Sequence, residues 1–338
     1  MPTSHPTAVP RGAPVWIGLL VLYLVWGSTY LGIAIAVETI PPFLMAAVRF
    51  CLAGLILLTW SIAREGRTFT PPTRREWRDS AIVGTLLIAG GMGMVAFGEQ
   101  TIPSGIAALL IATMPVWVAV LGRVFLGERL PRLAGFGIVV GFVGVAILVG
   151  PSAFGGTGAL DPIGLAAILF SPIAWASGSL FASHRAVLPK RPLVAAGVQM
   201  LLGGLVLAVM SAASGEFAAL DVGAISRESV VALVYLLVMG SLVAFTVYGW
   251  MLRVAPLPLV ATYAYVNPVV AVVLGAIIIG ETIDLRTVVA GAVIVFSVAV
   301  IVTARGRMYT RRPVRASEAD AVPSEVTSTL APTPAPTR

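Results

Sequence analysis

An internal repeat is the feature that most constrains the fold of this chain. Three short stretches of the first half recur in the second half at a constant offset of 153 positions, for example from position 115 to position 268. The stretches are Pro115-Val116, Val120-Leu121-Gly122 and Gly127-Glu128, and their copies are Pro268-Val269, Val273-Leu274-Gly275 and Gly280-Glu281. Two copies of one unit must fold into two similar halves.

The composition places these halves in a membrane. Hydrophobic residues make up 58% of the chain and charged residues 11%, whereas a soluble domain carries about 25% charged residues. The apolar residues form separate blocks, each close to the roughly 20 residues that a helix needs to cross a hydrocarbon core. In a membrane protein, an internal repeat is typical of a transporter.

Ten such blocks predict an all-α membrane protein with ten transmembrane helices, named segments 1 to 10 below. Segments 1 to 5 cover 15–37, 42–62, 81–97, 104–125 and 133–149. Segments 6 to 10 cover 163–181, 193–212, 230–250, 259–279 and 288–302. Segments 3, 5 and 10 are short, so we expect them to extend into flanking polar residues or to bend.

These segments define the expected domains. Residues 1–14 form an N-terminal cytoplasmic segment without the pattern of a cleaved signal peptide. Residues 15–150 form the first repeat, 151–161 a glycine-rich linker and 162–303 the second repeat. Residues 304–338 are polar and rich in Pro, Thr, Ser and Ala, which predicts a disordered cytoplasmic tail.

The basic residues predict the orientation. With a cytoplasmic N-terminus, nineteen Lys and Arg residues fall on the inner side and only Arg227 and Arg286 on the outer side. This positive-inside bias puts both termini in the cytoplasm. Because each repeat has five segments, the two repeats are inverted relative to each other. The basic residues are spread over every inner loop, so we expect no nucleic-acid partner.

Several kinds of chemistry are not expected. Cys51 is the single cysteine and His5 and His184 are the only histidines, so the sequence predicts no metal site. No nucleotide-binding motif is present, and we expect no cofactor. An intramembrane hydrolase would need Ser and His from different helices, whereas Ser177 and His184 share one segment. We therefore expect no enzyme.

Four repeated residues are interpreted as structural. Pro115 and Pro268 occupy equivalent positions in segments 4 and 9. Glu128 and Glu281 each precede the next helix by a few residues, where a carboxylate can accept from free backbone N–H groups. We interpret both as caps of the helices that follow them, with gating as the alternative.

Arg49 is the one basic residue deep within a segment, about 10 to 12 Å below the start of segment 2. A cation at that depth needs a partner. Glu99, at the outer end of segment 3, is the nearest plausible carboxylate. An Arg49–Glu99 pair is either a structural salt bridge or a coupling or gating element.

Other polar and aromatic residues lie deep in apolar segments. Those that we predict to bind substrate are Trp26, Thr29, Trp175, Gln199, Tyr263 and Asn267. Tyr263 and Asn267 are four residues apart and share one helix face. Pro268 leaves a backbone carbonyl without its helical partner, and such a group must be buried in protein or line water. Taken singly, such a residue more often forms an interhelical hydrogen bond than a ligand contact; together they could line a cavity.

At these residues the chain resembles the EamA family of the drug/metabolite transporter superfamily. The matching stretches are Trp26-Gly27-Ser28-Thr29-Tyr30; Pro41-Pro42 with Arg49-Phe50; Pro103-Ser104-Gly105 with Pro115; Leu126-Gly127-Glu128; and Tyr263 to Val270 with Gly280-Glu281. The resemblance extends from about residue 15 to 303. Within the superfamily, Glu99-Gln100 followed by Pro103-Ser104-Gly105 resembles the pattern of the bacterial inner-membrane drug/metabolite exporters.

The resemblance implies a carrier of the bacterial inner membrane with its cavity among segments 1–4 and 6–9. We expect a secondary active transporter, an exporter of amino acids, other small metabolites or drugs, that works by alternating access. Its expected partners are a small-molecule substrate, the lipid bilayer and, as the driving ion, protons. The protein could also form a homodimer. A passive facilitator or channel, or a lipid-moving protein, remains the alternative.

Overall fold

The computed structural model describes residues 13–127, 131–153, 160–255, 257–260 and 262–311. Within these residues the chain is helical, with short loops and no strand. Glu128, most of the predicted linker and the tail beyond residue 311 lie outside the described residues. Nine helices of the described part are long and apolar enough to cross a membrane, and a shorter apolar helix, Val266–Ile278, lies in segment 9.

The observed helices follow the predicted segments. Segments 1 to 5 form Ala13–Val37, Pro42–Glu65, Arg74–Gly98, Ser104–Ile111 with Met114–Leu126, and Arg132–Ala153. Segments 6 and 7 form Pro162–His184 and Pro192–Ala213, and segment 8 runs from Arg227 to Val254. Segment 9 forms Leu257–Val260 and Tyr263–Ile278, and segment 10 forms Leu285–Arg311. Short helical turns, Gly66–Thr68, Glu216–Ala219 and Val222–Ala224, lie in the loops.

The three short predicted segments are longer in the structure. Segment 3 begins at a capping box in which the Thr73 hydroxyl accepts from the N–H of Glu76 and the Glu76 carboxylate accepts from the N–H of Thr73. Segment 8 begins at the equivalent residue Ser226, 153 positions later, whose hydroxyl accepts from the N–H of Ser229 without the reciprocal bond of a capping box. Segment 10 continues to Arg311, so the first residues of the predicted tail are helical.

The helices of segments 4 and 9 are both interrupted, although each segment is one continuous apolar run in the sequence. Segment 4 breaks at Ala112 and Thr113, directly before Pro115, which lies in the first turn of the second helix. Segment 9 breaks around Thr262, and Pro268 lies inside the following helix. The equivalent prolines therefore have different positions relative to the breaks.

Segments 3 and 8 each contain a π-helical stretch at matching positions. The stretches are Thr85–Gly93 and Leu236–Val243, whose first residues are 151 positions apart. A π-helix is wider than an α-helix and redirects side chains, and it is frequently found at functional sites.

Helices of one repeat pack mainly against helices of the other. Segment 2 packs against segment 7, and segment 5 against segment 10. Segment 1 packs against segments 8 and 9, and segment 6 against segments 3 and 4. If each segment is replaced by the equivalent segment of the other repeat, the same pairs of contacting segments result. The contacts are therefore symmetric between the two repeats.

Glycines allow the closest of these contacts. A Cβ on Gly54 of segment 2 would lie 2.6 Å from the backbone nitrogen of Leu201 and 2.7 Å from the carbonyl oxygen of Gly197 in segment 7. Backbone atoms cannot turn aside as a side chain can, so only glycine fits. Small residues at such positions let helices associate where lipid supplies no hydrophobic drive.

Acidic side chains also join the ends of segments across the repeats. The Glu216 carboxylate, just beyond segment 7, accepts from the backbone N–H groups of Phe43 (3.2 Å) and Leu44 (2.8 Å) at the start of segment 2. In the opposite direction, Glu65 at the end of segment 2 forms an ion pair with Arg191 at the start of segment 7. A backbone cap thus joins the two helices at one end and a side-chain ion pair joins them at the other.

We predict that Gly54→Ala lowers the stability of the protein by about 1 to 3 kcal/mol, because the added methyl group forces segments 2 and 7 apart. Gly249→Ala in segment 8 is the matched control, since nothing lies within 4 Å of the Cβ position there. The control should be neutral or gain up to about 1 kcal/mol from helix propensity. Thermal unfolding of both variants in one detergent measures the difference; equal midpoints would contradict the packing described.

Candidate functional site

The Arg49 side chain is enclosed between segments 1, 2 and 8. It is 2% exposed, and its Nε donates to the hydroxyl of Ser241 at 2.9 Å. A Cβ on the neighbouring Gly240 would lie 2.9 Å from Nη2 of Arg49 and 3.1 Å from the methyl carbon of Thr29. Gly240 and Ser241 belong to the π-helical stretch of segment 8. This stretch therefore provides both the space and the acceptor for the guanidinium group.

Glu99 lies in the same region without a direct partner. It is 6% exposed, and neither carboxylate oxygen has a hydrogen-bond partner among the described residues. Arg49 is close enough to interact with it electrostatically, but the predicted Arg49–Glu99 ion pair is not formed. The hydrogen bond of Arg49 goes to Ser241 instead.

Glu281 caps a helix of the other repeat. Its carboxylate accepts from the backbone N–H groups of Ser104 (2.6 Å) and Gly105 (3.0 Å) at the start of segment 4. The sequence predicted a cap on the helix that follows Glu281; this was wrong, since Asp284 accepts from the N–H of Thr287 there at 2.7 Å. For Glu128 the corresponding prediction lies outside the described residues.

A pocket of about 290 Å³ opens beside this cap. Three of its lining residues are carboxylates, Glu38, Glu99 and Glu281, and Gln100 and Ser104 add polar groups. No basic side chain among the described residues lines it. The pocket therefore carries strong negative potential when its carboxylates are ionised, which favours protons or cations.

Three aromatic rings lie around Trp26, which gives a cluster of four. Its ring centroid lies 4.9 Å from that of Tyr263, 5.2 Å from Tyr248 and 5.7 Å from Phe245. All four residues are half-buried. The structure thus brings together Trp26 and Tyr263, which the sequence had singled out, and adds Tyr248 and Phe245 from segment 8. The spacing of three residues between those two, which places them on one helix face, is the sequence signal that could have found them.

Asn267 lies one helical turn beyond Tyr263. It is 8% exposed, and its side-chain oxygen has no hydrogen-bond partner among the described residues. Segment 1 approaches its backbone closely, since a Cβ on Gly27 would lie 3.2 Å from the Asn267 carbonyl oxygen. A buried amide oxygen without a partner is available to a donor of a ligand or water.

Trp175 and Gln199 lie apart from these rings. Trp175 packs against Gly91 in the π-helical stretch of segment 3, with ring carbon Cε3 2.8 Å from the position of an added Cβ. No ring contact joins it to the four aromatic residues around Trp26. Gln199 is half-buried, and its side chain forms no hydrogen bond with the described residues. In sequence, Trp175 lies 149 positions after Trp26 and Gln199 lies 150 positions after Arg49, which makes each the counterpart of the earlier residue, but neither makes its counterpart's contacts.

Within the described residues, no group of three His, Cys, Asp or Glu side chains could hold a metal ion.

Comparison with known proteins assigns the family. The sequence pattern described as "EamA-like transporter family" matches residues 14–150 and again residues 162–303. The chain belongs to this family. The resemblance inferred from the motifs is thereby confirmed, and the two matched regions coincide closely with the predicted repeats. This EamA-like transporter thus carries the family pattern twice.

Relatives of this EamA-like transporter have similar length. The uncharacterized inner membrane transporter YedA of Escherichia coli K12 is 39% identical over 303 residues, which are 89% of this chain and 94% of YedA. The uncharacterized transporter YvbV of Bacillus subtilis is 25% identical over 84% of this chain and 90% of its own. One crystal structure matches with a TM-score of 0.58 at 20% identity, covering 86% of this chain and 98% of the other, which supports the fold alone.

We predict that Ser241→Ala destabilises this transporter by about 1 to 3 kcal/mol, because it leaves the buried Arg49 without its acceptor. Ser211→Ala is the matched control: Ser211 is equally buried, but its hydroxyl has no hydrogen-bond partner in the part of the chain that the structure describes. Its loss should cost little or nothing. Thermal unfolding of the two variants tests this, and equal shifts would show that the Arg49–Ser241 bond contributes nothing to stability.

Proposed function

We propose that this EamA-like transporter is a secondary active exporter of amino acids, other small metabolites or drugs across the inner membrane. It works by alternating access, with ten transmembrane helices in two inverted repeats and both termini in the cytoplasm. The observation that carries the proposal is the interior site, which both repeats build from an aromatic cluster and buried polar groups without partners.

Two observations support the location in the membrane and the arrangement of the repeats. YedA, which aligns with 89% of this chain, is named an inner membrane transporter. The packing of segment 1 on segments 8 and 9, and of segment 6 on segments 3 and 4, is what a two-fold relation between the repeats requires. A two-fold axis in the membrane plane inverts one repeat relative to the other, and such carriers bind substrate where the repeats meet.

The substrate site is proposed at Trp26, Thr29, Tyr263 and Asn267, with Trp175 and Gln199 as the equivalent positions of the other repeat. Aromatic walls bury the apolar part of a small molecule, and a few polar atoms orient it. The Asn267 oxygen supplies an acceptor and the Tyr263 hydroxyl either a donor or an acceptor. Such a site fits small amphipathic substrates.

Arg49 and Glu99 are proposed as the coupling element, with protons as the driving ion. A buried carboxylate without hydrogen-bond donors disfavours its charged form. Its protonation state can therefore follow access to water on one side of the membrane. Arg49 lies near enough to Glu99 to respond to that change.

Export is tested by comparing metabolites inside and outside cells that express wild type or the double variant Tyr263→Ala with Asn267→Ala, at matched membrane abundance. The panel contains amino acids and toxic analogues. Wild type should move at least one compound outward, and the variant should reduce this flux about tenfold or more, since truncating a buried aromatic contact typically costs about 2 kcal/mol.

Trp117→Ala is the control for aromatic truncation. Trp117 contacts Phe142 of segment 5, with ring centroids 5.5 Å apart, and has no ring contact with the cluster around Trp26. This variant should keep wild-type export. If the double variant exports every transported compound as well as wild type does, the proposed site is wrong.

A further inference from the structure

Two glycines leave space for the Glu281 carboxylate at the start of segment 4. A Cβ on Gly275 would lie 2.5 Å from Oε2 of Glu281, and one on Gly105 would lie 3.3 Å from the same atom. A side chain at position 275 would displace the carboxylate from the two N–H groups that it binds, and one at position 105 would press against it. Ser104 is fully buried beside it, and its hydroxyl has no partner among the described residues. We name this contact the Glu281 latch.

The latch joins the two repeats at one end of the bundle. Glu281 lies in the loop between segments 9 and 10, whereas Ser104 and Gly105 begin segment 4. The distribution of basic residues predicts that this end faces outward. An opening at this end that separates segment 4 from that loop must break both hydrogen bonds. The latch is therefore a contact that alternating access would make and break.

Glu99 faces the latch across the acidic pocket. The charged and titratable groups around it are Tyr30 and Glu38 of segment 1 and its following loop, Arg49 of segment 2, Glu281, and Asp161 before segment 6. Asp161 is already held by the N–H of Gly164 and the hydroxyl of Thr101. Only Arg49 among these is basic, and it is bound to Ser241.

Ionisation of Glu99 weakens the Glu281 latch. A second negative charge in the pocket repels the Glu281 carboxylate, and like charges in one site disfavour joint ionisation. The same charge attracts Arg49 and so draws Glu99 toward segment 2. A proton on Glu99 removes both effects and leaves Glu281 free to accept from segment 4.

We propose that Glu99 is a proton-binding site whose occupancy closes the Glu281 latch, so that proton uptake shuts one face of the carrier. This inference rests on the proposed transport function and adds the residue pair that couples the proton to the gate. In the open state, a Glu99 oxygen takes a proton from the water of the pocket. The latch closes on the neutral acid, and after the opposite face opens the proton leaves to the other side.

Hydrogen–deuterium exchange of the intact purified protein in lipid nanodiscs tests the latch without any substrate. Peptides that cover Ser104 and Gly105 report their N–H groups directly. Glu281→Gln should speed exchange there on the order of tenfold, because hydrogen bonds to a charged group are the strong ones. Glu216→Gln is the matched control, since Glu216 caps Phe43 and Leu44 in the same manner; it should speed exchange only at the start of segment 2.

The role of Glu99 is tested by repeating the measurement at a series of pH values from acidic to alkaline. Exchange at Ser104 and Gly105, corrected by that at Phe43 and Leu44, should rise with pH in wild type. Glu99→Gln should remain protected throughout. A pH dependence that persists in Glu99→Gln overturns the role of Glu99, and unchanged exchange in Glu281→Gln overturns the latch. Since no transport is measured, either failure is separate from failure of the export proposal.

Discussion

The need to satisfy backbone polar groups away from water governs this structure. Helices that cross a membrane satisfy their own hydrogen bonds except at their ends and at interruptions. In this chain, important ends receive partners from the opposite repeat: Glu281 at the start of segment 4, and Glu216 at the start of segment 2. Two helix starts of the first repeat therefore depend on carboxylates of the second repeat, which ties the two halves together.

The same arrangement places polar groups in the interior. The π-helical stretch of segment 8 brings Ser241 to Arg49, and Gly240 leaves room for the guanidinium group. Trp26 of the first repeat meets Tyr263 of the second. A site built in this way changes shape when the repeats shift, because each of its walls belongs to a different half. That property links the fold to transport.

Much of this was predictable from sequence. The helices follow from the apolar blocks, and the matched caps at Thr73 and Ser226 follow the same offset as the repeat. The partners of charged groups were not predictable, because they depend on contacts between residues far apart in the chain. Glu281 was assigned to the next helix and Arg49 to Glu99, whereas their hydrogen bonds reach Ser104 and Ser241. The break near Thr262 was also missed, since an apolar run does not reveal where a helix bends.

Alternating access requires a binding site between the two repeats that opens to one side of the membrane at a time. Counterflow tests this requirement in liposomes that contain the purified protein and a compound exported by the cells. A carrier of this kind should take up labelled compound saturably, and unlabelled compound on the opposite side should stimulate that uptake. Uptake that rises linearly with concentration and does not respond to compound on the opposite side would show a channel and would contradict alternating access.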